Sequence, residues 1–210
     1  MIEVEKKFVI TPEQERKLLE GAEFIGEKVF TDSYFDYSDY RMTASDLWLR
    51  KRDDRFELKV PLNDNTKARV SDQYHELETD EEIISALKLK LALFSSYDEN
   101  KASFSKKLED VIIKNEIKPF CKITTTRKKY KKGEFGIDVD NMDFGYHICE
   151  IELMVAGELE IPSAEKRIVD FAISLGLPTI RVRGKVLEYL RLNNISHMEA
   201  IEKTVGGLVG

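Results

Sequence analysis

Glu3, Glu5 and Lys7 occupy alternate positions in the run Ile2-Glu3-Val4-Glu5-Lys6-Lys7. On a β-strand successive side chains point to opposite faces, so these three share one face and Ile2, Val4 and Lys6 take the other. Two carboxylates at i and i+2 lie roughly 6.6 Å apart along such a strand. They can converge on a hard cation, and the ammonium one step further on can reach an anion held by that cation. The chemistry suggested is that of a metal-bound phosphate.

The same signed alternation recurs along the chain. Arg50 and Arg52 share a face with Trp48; Glu57 and Lys59 lie opposite Phe56 and Leu58. Tyr74 and Glu76 alternate with His75 and Leu77, Asp138 and Asp140 with Ile137 and Val139, and Glu150 and Glu152 with Cys149, Ile151 and Leu153. One such strand is a solvated face. Six, carrying both signs, fit a closed sheet that gathers charge inside around a polar ligand and turns its apolar face toward covering helices. The acidic group is Glu3, Glu5, Asp138, Asp140, Glu150 and Glu152; the basic group is Lys7, Arg50, Arg52, Lys59, Arg127 and Lys185. Carboxylates without His or Cys partners favour Mg²⁺, with Mn²⁺ able to substitute, over zinc. Arginine binds phosphate bidentately and lysine supplies a point charge. Phosphoryl transfer needs little beyond such positioning and neutralisation. His75, His147 and His197 lack ligand spacing and read as structural or exposed, and Cys121 and Cys149 as small buried hydrophobes.

The elements that must position these residues are legible. Strands are expected over residues 2–10, 27–35, 47–52, 56–60, 68–77, 121–130, 134–140 and 146–155. Thr11-Pro12-Glu13-Gln14 is a capping box with proline at the first helical position, opening a helix that Gly21 follows. Thr79 to Glu82 opens a second helix, to about residue 91. Further helices are expected over 102–115, from Pro162 to Gly176, and over 184–192. From about residue 199 the chain is expected to fade into a Gly-rich tail. The expected division is one domain over 1–195 and a tail over 196–210. The class is α+β: a closed eight-stranded antiparallel barrel, a tunnel with helices packed around its outside.

The chain has 210 residues, 42% of them hydrophobic and 34% charged, with a net charge of −6. That charge excludes nucleic-acid binding driven by broad positive potential. Two cysteines make no disulfide framework, no apolar run approaches a membrane span, and no signal-like segment precedes Glu3. A soluble, cytoplasmic, monomeric protein with a small-molecule partner is expected.

Glu3-x-Glu5-x-Lys7 resembles the signature of the CYTH superfamily, the triphosphate tunnel metalloenzymes. Asp32-Ser33-Tyr34-Phe35-Asp36, Trp48-Leu49-Arg50-Lys51-Arg52, Glu57-Leu58-Lys59, Tyr74-His75-Glu76-Leu77, the run from Asp138 to Tyr146, and Glu150-Ile151-Glu152 resemble its animal thiamine-triphosphatase branch in order and spacing. The resemblance implies an eight-stranded tunnel and Mg²⁺-dependent hydrolysis of thiamine triphosphate to thiamine diphosphate and phosphate. It implies phosphate contacts from Lys7, Arg50, Arg52, Lys59, Arg127 and Lys185, and metal contacts from Glu3, Glu5, Asp138, Asp140, Glu150 and Glu152. Trp48 matches the aromatic residue placed against the thiamine rings, and Tyr74 and Glu76 match further substrate-side residues. Lys59, Glu5 and Arg52 are the expected catalytic set, with Lys59 or a carboxylate-bound water activating the nucleophile. Residues 101–118 and 180–184 depart from the family pattern. The competing readings are an inorganic or nucleoside triphosphatase in the same tunnel, and a phosphate-binding module without turnover.

Overall fold

The computed structural model describes residues 2–62, 74–91 and 107–205. The eight strands are β1 (Ile2–Phe8), β2 (Glu23–Asp36), β3 (Trp48–Arg52), β4 (Arg55–Pro61), β5 (Tyr74–Leu77), β6 (Lys118–Lys132), β7 (Phe135–Met142) and β8 (His147–Val155). All pairings are antiparallel, in the order β1-β8-β7-β6-β2-β3-β4-β5. The strands form a nearly closed barrel. Among the described residues β1 and β5 are the two edge strands of the sheet, each paired on one side only. The parts of the expected strand 68–77 and helix 102–115 that precede Tyr74 and Lys107 lie outside the described residues.

The helices are α1 (Pro12–Leu19), α2 (Asp80–Leu91), α3 (Leu108–Lys114), α4 (Ile161–Ser174), α5 (Lys185–Asn193) and α6 (Ile195–Val205). The α1 capping box forms as expected: Gln14 N donates to Thr11 Oγ1 at 3.2 Å and Thr11 N to Gln14 Oε1 at 3.0 Å. Period two decides which strand face meets the helices. Val4, Phe8, Ile137, Val139, Cys149, Ile151 and Leu153 pack outward against Leu18 of α1 and Ile161, Ala164, Ile168 and Ala172 of α4. Leu49, Phe56 and Leu58 pack against α2 and α3. The alternate positions are left to the interior.

Along the barrel axis the interior changes character. Beyond the charged positions, the same faces carry Tyr34, Trp48, Cys121, Ile123, Met142 and Ile148. These pack on Val186, Leu187 and Leu190 of α5 and Met198 and Ile201 of α6. One end of the barrel is thus stoppered by an apolar plug. The expectation of a fading tail is corrected here: residues 195–205 are helical, and Met198 and Ile201 are buried. Ile195, Met198 and Ile201 recur at helical spacing, and Asn194 caps them by accepting from His197 N at 3.2 Å. Among the described residues no helix is long and apolar enough to cross a membrane.

Candidate active site

The barrel holds a cavity of about 220 Å³. Strand register dictates which charges meet in it. Asp32 opposes Arg52, Arg50 opposes Glu57, Lys59 opposes Glu76, Lys7 opposes Glu150 and Arg127 opposes Asp140. Each of these pairs closes. Arg52 Nε reaches Asp32 at 2.7 Å and Lys185 Nζ reaches the other oxygen of Asp32 at 2.5 Å, tying α5 to β2. Arg50 Nε donates to Glu57 at 2.7 Å and Lys59 Nζ meets Glu76 at 2.8 Å. Lys7 Nζ lies 2.5 Å from Glu5 and 3.9 Å from Glu150. Arg127 is enclosed by Asp138 at 2.5 Å, Asp140 at 2.6 Å and Glu150 at 2.7 Å.

The expected basic residues Lys7, Arg50, Arg52, Lys59, Arg127 and Lys185 all line this one cavity. So do Trp48, Tyr74 and Glu76, and the acids Glu3, Glu5, Asp140 and Glu150. Asp138 and Glu152 do not. Asp138 stands behind Arg127 and 3.2 Å from Lys129; Glu152 lies 3.8 Å from Lys129. Gly136 faces Glu152 across the β7–β8 ladder, where a Cβ would fall 2.5 Å from Glu152 Oε1, so glycine leaves room for that carboxylate.

The crowding sets the ionisation of the acids. Glu3 keeps some surface open to water, yet desolvation and the neighbouring Glu5 and Glu152 carboxylates push its pKa up to about 7. Burial, then Glu5, raises Glu150, and burial, then Asp138, raises Glu152. Burial opposes the Glu5 carboxylate, but Lys7 and Lys59 outweigh it and hold Glu5 well below the usual range. Burial likewise opposes the Lys59 ammonium, and Glu5 and Glu76 outweigh it, so its pKa is raised. Burial also works against Asp32, but the Arg52 hydrogen bond and Lys185 bring it to about 2.

These are hard oxygen donors with mutual repulsion left over, the chemistry that suits a divalent cation such as Mg²⁺. Glu3, Glu5, Asp140 and Glu150 face the cavity, with Asp140 and Glu150 both bonded to Arg127, and Asp138 stands behind that guanidinium. Among the described residues no three acid, His or Cys side chains are already gathered as a ligand set.

Several residues that line the cavity or support its cations from behind lay outside the expected site residues. Asp32 is fully buried and holds two cations. Phe30 carries Arg52 at 4.1 Å and Lys185 at 5.0 Å over its ring. Phe30-x-Asp32-x-Tyr34 has the same period-two spacing as the recognised strands, and that signal was available. Tyr34 and Arg181 line the cavity itself. Among the described residues Arg181 is the one cation lining the cavity that has no carboxylate partner. It precedes α5 in a segment without regular structure, where no periodicity marks it.

A nearly closed antiparallel barrel with paired charges inside and helices stoppering one end places this chain in a class of tunnel-type barrel folds. This chain belongs to the CYTH domain family, whose pattern matches residues 1–183 and ends just before α5. It is 28% identical over 201 residues to the thiamine-triphosphatase of Homo sapiens, covering 91% of this chain and 85% of that protein. The Macaca fascicularis thiamine-triphosphatase is likewise 28% identical, over 200 residues. Among solved structures, the PH1819 protein of Pyrococcus horikoshii OT3 has the same fold, with a TM-score of 0.62 at 20% identity over 91% of this chain and 99% of that one. HpAC1 from Hippeastrum, described as having a dominant triphosphatase activity, superposes with a TM-score of 0.56 at 16% identity, covering 91% and 95% of the two chains.

Proposed function

We propose that this protein hydrolyses thiamine triphosphate to thiamine diphosphate and inorganic phosphate, as a cytoplasmic monomer dependent on Mg²⁺. The observation that carries the reading is the division of a single cavity. One zone gathers Lys7, Arg50, Arg52, Lys59 and Lys185, enough positive charge for a triphosphate; the other is walled by Trp48, Tyr74 and the apolar side chains of α5. The thiamine-triphosphatase relatives support the same assignment. A thiazolium cation against the Trp48 indole gains about 0.5–2 kcal/mol.

Lys7, Arg50, Arg52, Lys59 and Lys185 would exchange carboxylate partners for phosphate oxygens, and those carboxylates hold the cations in place with their charge balanced. Lys59 keeps its proton, because Glu5 and Glu76 hold its pKa up. It therefore stabilises developing charge and leaves activation of water to a carboxylate. Arg52, fixed by Asp32, presents its guanidinium to the same charge. Mg²⁺, when bound, would supply further neutralisation, and Glu3, Glu5 and Glu150 are the residues placed to hold it. The test is phosphate release from thiamine triphosphate, tripolyphosphate and ATP with Mg²⁺ and with chelator. Selective, metal-dependent turnover of thiamine triphosphate is expected. Preference for tripolyphosphate would move the assignment to an inorganic triphosphatase, and binding without release to a phosphate-binding module.

A further inference from the structure

We propose that Asp46 is the positioning residue for the organic end of the substrate, acting through both aromatic rings of the cavity wall. Its Oδ1 accepts two hydrogen bonds, from Trp48 Nε1 at 2.8 Å and from the Tyr74 hydroxyl at 2.8 Å. Trp48 lies on β3 and Tyr74 on β5, with β4 between them. A single oxygen atom therefore fixes the relative placement of two rings that the sheet itself does not pair.

The anchor is itself rigid. Asp46 is 2% exposed and closes a short 3₁₀ turn (Thr43–Ser45) in the left-handed region, at φ 59°. Asp36 secures that turn by accepting from Met42 N at 2.9 Å, Thr43 N at 2.9 Å and Thr43 Oγ1 at 2.6 Å. An indole N–H can only donate, so a buried Trp needs an acceptor, and a ring turned by that bond presents a fixed face. Without it the indole can rotate and its face is no longer held for an incoming heteroaromatic ring.

The inference rests on the reading of Trp48 and Tyr74 as the organic-end contacts, and the test separates the two. Asp46→Asn keeps the accepting oxygen, and Asn tolerates the left-handed backbone. Asp46→Gly removes the acceptor at a φ that suits glycine. Trp48 is the single tryptophan of the chain, so its emission reports on that ring alone. With Asp46→Gly, KM for thiamine triphosphate should rise about tenfold, equivalent to about 1.4 kcal/mol, with kcat and the KM for tripolyphosphate within about twofold of wild type. Trp48 anisotropy should fall, and Asp46→Asn should restore both readouts. Equal effects on the two substrates, unchanged anisotropy, or an Asn variant that behaves like the Gly variant would overturn the proposal. If the wild type cleaves no triphosphate, the functional reading fails, while anisotropy and quenching by thiamine alone still decide the role of Asp46. If Asp46→Gly does not fold, Tyr74→Phe removes one of the two donors. It should raise KM for thiamine triphosphate but not for tripolyphosphate, and no difference between the substrates would again overturn the idea.

Discussion

Replacing Asp32 by Asn should cost about 2–3 kcal/mol of stability in the empty protein, and tripolyphosphate should return part of that loss. Asp32 is fully buried and is the shared partner of Arg52 and Lys185. Its pKa falls from 3.8 to about 2 on folding, a linkage worth roughly 2–3 kcal/mol. Removing one partner of a fully buried pair costs about 3–5 kcal/mol. Arg52 and Lys185 keep 21% and 13% of their side-chain surface, which argues for the lower figure. Urea unfolding at neutral pH without metal measures the difference. A depressed carboxyl pKa stabilises above about pH 4, and that contribution is lost as the pH falls through about 2. The gap between wild type and variant should therefore close in acid. With Asp32 gone, two cations seek an anion, so tripolyphosphate should stabilise the variant more than the wild type. A variant within about 0.5 kcal/mol of wild type, or a gap unchanged in acid, would refute the reasoning.

Glu5→Gln should lower turnover at least 100-fold with the fold intact by circular dichroism, because it removes the carboxylate held ionised beside Lys7 and Lys59; unchanged activity at saturating Mg²⁺ would remove Glu5 from the mechanism. Trp48→Ala should raise KM for thiamine triphosphate more than for tripolyphosphate, and equal effects would show that the indole does not read the organic group. Desolvation lowers the pKa of His197, buried on α6, from 6.5 to about 4. A depressed imidazole stabilises fully above about pH 6.5 and loses that contribution as the pH falls toward 4. Wild-type stability should therefore drop over that range, by about 3 kcal/mol, and the pH dependence should flatten in His197→Gln; identical urea profiles for the two proteins would contradict this.

Period two was the most legible signal in the chain. It places Glu3, Glu5 and Lys7 on one face, and the same rule assigns Arg50, Arg52, Lys59, Asp140 and Glu150 to the interior, where they lie. Local chemistry was equally plain at Thr11 and Gln14, whose capping box needs only four residues to define it. Partner choice was not legible, because it depends on register. The β6–β7 register sets Asp140 opposite Arg127 and Asp138 opposite Lys129, and both carboxylates reach the Arg127 guanidinium, a pairing no local pattern announces. Asp32 stands in a segment that carries the resemblance, but its role does not show there because its partners, Arg52 and Lys185, are 20 and 153 residues away. Asp46 reads locally as a loop residue, and only the return of β5 supplies its second donor. The glycine-rich C-terminal run reads as a tail, but Met198 and Ile201 just before it keep helical spacing and pack into the stopper.

The proposed function requires a triphosphate to sit among the interior charges of the barrel. A crystal structure with a non-hydrolysable imidotriphosphate and Mn²⁺ tests it most directly, since manganese gives an anomalous signal. Phosphate oxygens should lie within hydrogen-bonding distance of Lys7, Arg50, Arg52 and Lys59, with manganese on the side of Glu3, Glu5 and Glu150. An analogue bound only on the barrel's exterior, with the Arg52–Asp32 and Lys59–Glu76 pairs undisturbed and the cavity filled by water, would contradict it.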